Sequence, residues 1–582
     1  MRQGFDDIFK RAQDAHAEGK IGEAAALYEE ALKLRPEDAP CTYFLGVARF
    51  QLGQTRRAIE LVRRAIAIDG SVAEHHCDLA AMLFAVDDDR AAIGAADQAI
   101  SLRPDFPEAL FIRGNALCKS ERFEEGIDAY QRLIALRPEA RDALNNLGMA
   151  LLQLGRVEEA VGCFERIVRA NPADAAADSN RVYAMLFSPD YGPDEIRGQL
   201  LNWNCRHRRS GPARPHENLR MVDRPLRIGY VSADFRDHVV GWSMLWMAHH
   251  DAAKFNVTCY SGVGRADATT QKLRGCARQW RDISRMPDAE AAELIRADRI
   301  DILVDLSLHT SGNRLPLFAM KPAPIQVTYL GYPGSTGVEA IDYRFSDRRI
   351  DSVNEQGEHT ERTIYLPGCY WCYHPGGPAP DVSQPPCMAS GRITFGCLNQ
   401  FPKVSRAALE TWKRVLAEVP SSRLLLCAPE GRHRERVIEL LNVGDDRLEF
   451  LPRQSWADYI ATYQRIDICL DPFPCGGGIS TCDALWMGVP VITLRGKTSV
   501  GRGGASILHY VGLDELVSAS TEQYVSAAID LARDRPRLCG IRCGLRPRMR
   551  SSGVMNAVEF ARGVEAAYLK MWGDWLDSLP NT

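Results

Sequence analysis

The chain has 582 residues, a quarter of them charged, with 71 basic against 75 acidic side chains and a formal net charge of -4. That length holds three or four domains with cores of their own, and the even charge balance excludes both a basic stripe for nucleic acid and a long acidic tail. The charged N-terminal stretch has no apolar signal-peptide core, and no apolar run approaches the roughly 18 residues of a membrane span. A cytoplasmic protein without nucleic-acid or membrane partners is expected.

In chain order, the first pattern is a repeat. Pro36, Pro104, Pro138 and Pro172 fall on one 34-residue grid, with Gly70 at the remaining position. Units beginning at Phe5, Ala39, Ala73, Pro107 and Arg141 align Ala12, Gly46, Ala80, Gly114 and Gly148 in a column of small residues. A second small column holds Ala24, Ala58, Ala92, Gly126 and Ala160, where paired helices must touch. The grid prolines follow the second helix of each unit, where a missing N–H ends a helix at little cost. This is the pattern of five tetratricopeptide repeats over 5–174, an α-solenoid whose groove suits an extended protein or peptide acceptor. Asn145 and Asn146 lack counterparts at their positions in most other units. Homo-oligomerisation is left open.

Residues 175–222 keep helical periodicity without the grid and read as capping and linker helices, ending in the polar, proline-punctuated junction Ser210 to Arg224. From 223 to 378 short β-branched runs (226–232, 255–260, 300–308, 326–333) alternate with helices, and from 388 to 550 the alternation restarts. Alternation of that kind predicts parallel sheets covered on both faces, here as two doubly wound Rossmann-like lobes. The proline- and glycine-rich stretch at 374–386 reads as a hinge, with a ligand cleft between the lobes at the carboxyl ends of the strands. A C-terminal helix occupies 551–582, with Trp572 and Trp575 as packing anchors.

Chemistry-bearing residues gather at predicted strand ends. In DPFPCGGGISTCDALW (471–486) a strand ends, Gly477 and Gly478 close a glycine run, and Ser480 and Thr481 open a helix. Glycine N–H groups and a helix N-terminus together make an anion site, and Asp483, placed in the first turn, can bond a ribose hydroxyl. Ser480 as a simple N-cap is the plainer reading. The loop GCLNQFPKVS (396–405) offers Lys403 as an ammonium for a diphosphate and Gln400 as an amide contact. In the first lobe, His238 ends YVSADFRDH and His309 ends another strand, while GYPGSTG (331–337) lets a substrate approach the backbone. A single CxxC, Cys369 to Cys372, has no second pair to complete a metal site, so no metal is expected.

Taken in order, VSADFRDH, the stretch from DLSLHTSGN to QVTYLGYPGSTG, CLNQFPK and GGGISTCDALWMGVPVITL after tetratricopeptide repeats resemble the protein O-GlcNAc transferase family, including its Spindly-type and bacterial members. The resemblance implies a GT-B fold and an inverting glycosyltransferase needing neither metal nor cofactor. It moves a sugar, with UDP-GlcNAc as the first donor to consider, to serine or threonine of a protein. It further implies Lys403 at the donor diphosphate, Gln400 at the nucleotide, Tyr459 against the base and Asp483 at the ribose. Gly477, Gly478, Ser480 and Thr481 form the phosphate turn. His238 faces the acceptor as a candidate general base, and His309, Gly331, Pro333 and Gly334 line the sugar pocket. Ile479, Gly478 and Pro402 depart from the family pattern around the donor. GDP-fucose or a CMP-nonulosonic acid as donor, and a non-catalytic scaffold, are the alternatives.

Overall fold

A computed structural model describes residues 2–209, 211, 214–352 and 359–578. Ser210 and residues 212 and 213 of the expected junction, and 579–582 of the expected C-terminal segment, lie outside the described residues. The chain divides into two compact units, Met1–Leu154 with Glu430–Arg432, and Gly155–Pro429 with His433–Thr582.

The first unit is a row of helical hairpins: α1 (Arg2–Ala17), α2 (Ile21–Leu34), α3 (Ala39–Gln51), α4 (Thr55–Ile68), α5 (Ala73–Ala85), α6 (Asp89–Leu102), α7 (Pro107–Lys119), α8 (Phe123–Leu136) and α9 (Arg141–Gln153). α3, α5, α7 and α9 begin at the first residues of their 34-residue units, and α2, α4, α6 and α8 stop two residues before the grid positions. The small columns are small by necessity. A Cβ on Gly114 would lie 2.5 Å from the Tyr130 ring, and one on Gly46 would lie 2.7 Å from Val62. Overpacking of this kind costs about 1–3 kcal/mol. Asn146 donates to Asn115 across adjacent repeats at 2.9 Å.

The second unit opens with α10 (Val157–Ala170), α11 (Ala175–Met185) and α12 (Pro193–His207). Its first sheet contains β1 (Leu226–Ser232), β2 (Phe255–Ser261), β3 (Gln279–Asp282), β4 (Ile302–Asp305), β5 (Ile325–Thr328), β6 (Tyr343–Ser346) and β7 (Arg362–Tyr365). Among the described residues the order is β3-β2-β1-β4-β5-β6-β7, with every pair parallel. The second sheet contains β8 (Thr394–Cys397), β9 (Arg423–Cys427), β10 (Leu448–Leu451), β11 (Ile468–Leu470), β12 (Val491–Leu494) and β13 (Val517–Ser518), in the order β10-β9-β8-β11-β12-β13, again parallel. The strand order reverses between β1 and β4 and between β8 and β11, and crevices outside those strand ends are where doubly wound sheets bind ligands.

Two expected strands are shorter in the structure, for a local reason. The run 300–308 ends at Asp305 because its carboxylate accepts the N–H groups of Ser307 and Leu308, and Leu308 takes a φ of 50°. The run 326–333 ends at Thr328 because Leu330, at a φ of 78°, donates its N–H to the Tyr370 hydroxyl at 2.7 Å instead of to a neighbouring strand.

The stretch 374–386, expected as a hinge, is pinned. Arg542 and Arg546, both buried on the helix Arg535–Ser551, bond the carbonyls of Ser383 and Pro380 at 2.8 Å each. A second tie joins the lobes at buried carboxylates. Asp351 accepts from Arg344 at 2.6 Å in its own lobe and from Ser499 and Arg502 of the other at 2.7 and 3.1 Å. Against its burial, the bond from His359 and the Arg344 charge hold Asp351 well below the usual carboxylate range. The helix Ala557–Asp577 folds back on the first lobe, with Tyr568 meeting Tyr230 at 3.0 Å, Glu565 bonding His250 at 3.1 Å, and Trp572 donating to Met221. Among the described residues no helix is long and apolar enough to cross a membrane, and no three His, Cys, Asp or Glu side chains are grouped to hold a metal.

Candidate functional site

The loops after β8 and β11 meet. Phe401–Lys403 is a short 3-10 turn whose Phe401 ring packs on His433 at 4.6 Å and would lie 3.2 Å from a Cβ at Gly155. That turn carries Lys403, whose Nζ donates to the Gly476 carbonyl at 2.8 Å. An ammonium has three donors, so two remain. Gln400 caps the turn through its own backbone and is exposed.

The glycine turn divides its N–H groups between structure and open space. Gly476 donates to Val500 at 3.3 Å, and Gly477 donates at 2.8 Å to Asp471, which also accepts from Thr493 at 2.7 Å. Burial pushes the Asp471 carboxyl up to about 6, and the bonds from Thr493 and Gly477 and the Lys403 charge pull against that rise. The N–H of Gly477, expected at the phosphate, is therefore a strut of the turn. Gly478, Ile479 and Ser480 follow, and among the described residues their three backbone N–H groups have no partner. The helix is Ile479–Trp486, capped by Gly478, so Ser480 is not the N-cap. The Ser480 hydroxyl donates to Asn399 at 2.6 Å, whereas the Thr481 hydroxyl is buried without a partner. Asn399, Asp471, Ser480 and Thr481 line a cavity of about 220 Å³.

Because the helix begins at Ile479, Asp483 lies in its second turn and not, as expected, in its first. It is buried, accepting from Tyr373 at 2.8 Å and from Tyr459 at 3.0 Å. Burial pushes its carboxyl up to about 7 despite both bonds. Tyr459 is half-buried, its hydroxyl 2.8 Å from that of Tyr463 and its ring 5.8 Å from Trp456.

In the first lobe the expected residues separate. His238 follows β1 and caps the short helix Val239–Ser243, its Nδ1 accepting the Val240 N–H at 3.3 Å. Burial holds its pKa below the usual value, with Asp234, 3.8 Å away, acting the other way. A neutral imidazole accepting at Nδ1 carries its proton on Nε2, which this hydrogen bond assigns as the donor. His309 does not line open space. It is wholly buried, with Nε2 donating to the Thr336 carbonyl at 2.8 Å and Nδ1 accepting from Ser179 of α11 at 3.1 Å. Burial pushes it down to about 4, so it is neutral. Gly331 is required because a Cβ there would lie 2.5 Å from the Ser307 carbonyl. Pro333 and Gly334 line a pocket of about 480 Å³ whose other walls include α11, α12 and Thr498–Val500.

Asn399, Asp471 and Tyr373 are the neighbours that sequence reading passed over. Asn399 and Asp471 stand at the ends of β8 and β11, and strand-end position was the available signal. Tyr373 had none, because its bond to Asp483 spans 110 residues.

The glycosyl transferase family 41 model matches residues 208–374 and 386–564, and tetratricopeptide models match 15–83 and 113–175. The chain is 38% identical over 414 residues to the probable UDP-N-acetylglucosamine--peptide N-acetylglucosaminyltransferase SPINDLY of Hordeum vulgare, covering 69% of this chain and 44% of the relative. Its counterpart in Arabidopsis thaliana is 36% identical over 409 residues, covering 68% of this chain and 45% of the relative. A solved point mutant of the Thermobaculum terrenum O-GlcNAc transferase superposes with a TM-score of 0.79 at 34% identity, covering 88% of this chain and 99% of that one. The chain spans less than half the length of the curated plant relatives it matches.

Proposed function

Since the chain belongs to glycosyl transferase family 41, we propose that it is a protein O-glycosyltransferase taking its sugar from a nucleoside-diphosphate donor, UDP-GlcNAc being the donor named for its relatives. One observation carries the reading: three consecutive open N–H groups at Gly478, Ile479 and Ser480 face no protein partner, while the Lys403 ammonium is tethered to Gly476 of the same turn. Helix N-terminal N–H groups and a fixed cation are what a departing diphosphate needs, because its charge grows as the bond to the sugar breaks.

In this reading the diphosphate lies on residues 478–481, the base rests near Tyr459, and the ribose meets the Asp483 carboxylate after displacing or sharing a tyrosine hydroxyl. The acceptor hydroxyl attacks the anomeric carbon on the face opposite the diphosphate as the bond from that carbon to the diphosphate oxygen breaks, so the configuration inverts, and the hydroxyl proton passes to water. Lys403 and the helix N-terminus take up the negative charge without a metal. His238, with Nε2–H directed as a donor, orients the acceptor or sugar. The repeats supply the groove for the acceptor chain. Thermal shift against UDP-GlcNAc, GDP-fucose and a CMP-linked sugar tests the reading. Stabilisation by UDP-GlcNAc supports it, stabilisation by another sugar nucleotide alone changes the donor, and no response to any contradicts it.

A further inference from the structure

In the CYWC stretch at 369–372 both cysteines are free and all four side chains are buried. Its backbone is held at both ends. Tyr370 donates its N–H to Asp347 at 2.8 Å, accepts the Tyr329 hydroxyl on its carbonyl at 3.0 Å and accepts the Leu330 N–H on its own hydroxyl, and Tyr373 donates its N–H to Val554 at 2.7 Å. Trp371, fixed between those anchors, reaches the glycine turn of the other lobe. A Cβ on Gly478 would lie 3.1 Å from the indole Cζ2 and 3.3 Å from Nε1, and one on Gly503 would lie 2.8 Å from Cη2. The indole thus fills the side-chain space of two glycines, with its N–H edge over the residue that caps the phosphate-turn helix.

The turn is short of side-chain donors. Residues 476–478 are glycines, position 479 is Ile, and the Ser480 hydroxyl is given to Asn399. Among the described residues the Thr481 hydroxyl, 2% exposed and 2.3 Å from where a Gly477 Cβ would stand, is buried without a protein partner, and the Trp371 Nε1–H, on a side chain 5% exposed, donates to no protein group. An anion on the turn would supply an acceptor to both atoms.

We propose that Trp371 is a donor-binding residue of this site, its indole Nε1–H hydrogen-bonding a phosphate oxygen of the bound nucleoside diphosphate. The proposal rests on the nucleotide-sugar reading above. Trp371 stands where the turn has no side chain of its own, and a hydrogen bond to a charged oxygen is among the strong ones.

Trp371→Phe keeps a ring against Gly478 and Gly503 and removes only the N–H. In titration calorimetry of the full chain, W371F is expected to bind UDP about tenfold or more weakly than wild type, with uridine affinity and melting temperature unchanged. Equal UDP affinity in the two proteins overturns the proposal and makes Trp371 a packing residue, as does a loss that uridine shares. Should W371F unfold, a second measurement on unaltered protein decides. The indole N–H resonance of Trp371 in protein carrying 15N-tryptophan, assigned by perturbing its neighbour with Gly503→Ala, should move on adding UDP and stay in place with uridine, and an unmoved resonance overturns the proposal. If the wild-type chain binds neither UDP nor GDP, the nucleotide reading falls and this proposal with it, whereas wild-type binding with an unchanged W371F sinks the proposal alone.

Discussion

Two polar regions at strand ends differ in one respect, and the difference teaches where chemistry belongs. Around His309 every donor and acceptor is matched: its two ring nitrogens bond Ser179 and Thr336, and the Thr336 hydroxyl and N–H in turn meet Glu361. Around the glycine turn the matching stops halfway. Gly476 and Gly477 are engaged, while the N–H groups of Gly478, Ile479 and Ser480 and the Thr481 hydroxyl are left open. The first N–H groups of any helix lack intrahelical partners, so what sets this helix start apart is the Lys403 ammonium held beside it. Both regions carry residues of equal sequence promise, and only the pairing tells them apart.

The contrast can be broken by substitution. The largest effect is expected from Lys403→Ala, which removes the cation from the open region. Transfer to a protein acceptor should fall about a hundredfold or more with the melting temperature unchanged, and normal turnover would remove Lys403 from the site. In the matched region the effect should fall on folding. His309→Ala strands Ser179 and Thr336 and empties a buried volume, so denaturant unfolding should report a loss of about 2–4 kcal/mol, and an unperturbed stability would refute the scaffold assignment.

Asp483 belongs to both categories and should show both signs. Its carboxyl is raised to about 7 by burial, against about 3.9 in an unfolded chain. The folded state therefore keeps a proton that the unfolded state releases between those values, and stability falls as pH rises through that window. Asp483→Asn removes the penalty, so the variant should melt above wild type at pH 8 and lose the advantage near pH 4, while UDP binds roughly tenfold more weakly. A variant less stable at pH 8 would contradict the burial argument. The smallest effect is expected at His238. Asparagine there can still cap Val240 while losing Nε2, and the tautomer assigned from the Val240 bond predicts less than a tenfold fall in turnover. A fall of a hundredfold or more would restore the general-base role.

Much of the architecture was legible because it is periodic. The 34-residue grid placed the starts of α3, α5, α7 and α9, and alternating apolar runs placed β1, β2 and β8 to β12. β3, β6, β7 and β13 escaped notice: QWRD and RTIY are half-exposed edge strands without an apolar run, the buried β6 is only the four residues YRFS, and β13 is only two residues long. In the site, Lys403, the glycine turn and Asp483 were legible from glycine, lysine and a helix start beside a strand. The fate of His309 was not, since the lid that buries it is Ser179, 130 residues earlier. Nor was the hinge, because Arg542 and Arg546, which hold its carbonyls, lie on a helix far along the chain. Local pattern fixes what a residue can offer, and long-range packing decides whether the offer is already taken.

The central claim is that the open half of the glycine turn holds a diphosphate. Calorimetric titration of the wild-type chain with UDP and with uridine, repeated with Lys403→Ala, tests it most directly. The account predicts that UDP binds at least tenfold more tightly than uridine and that this margin collapses in K403A. Equal affinities for UDP and uridine in the wild type, or a margin untouched by K403A, would contradict it.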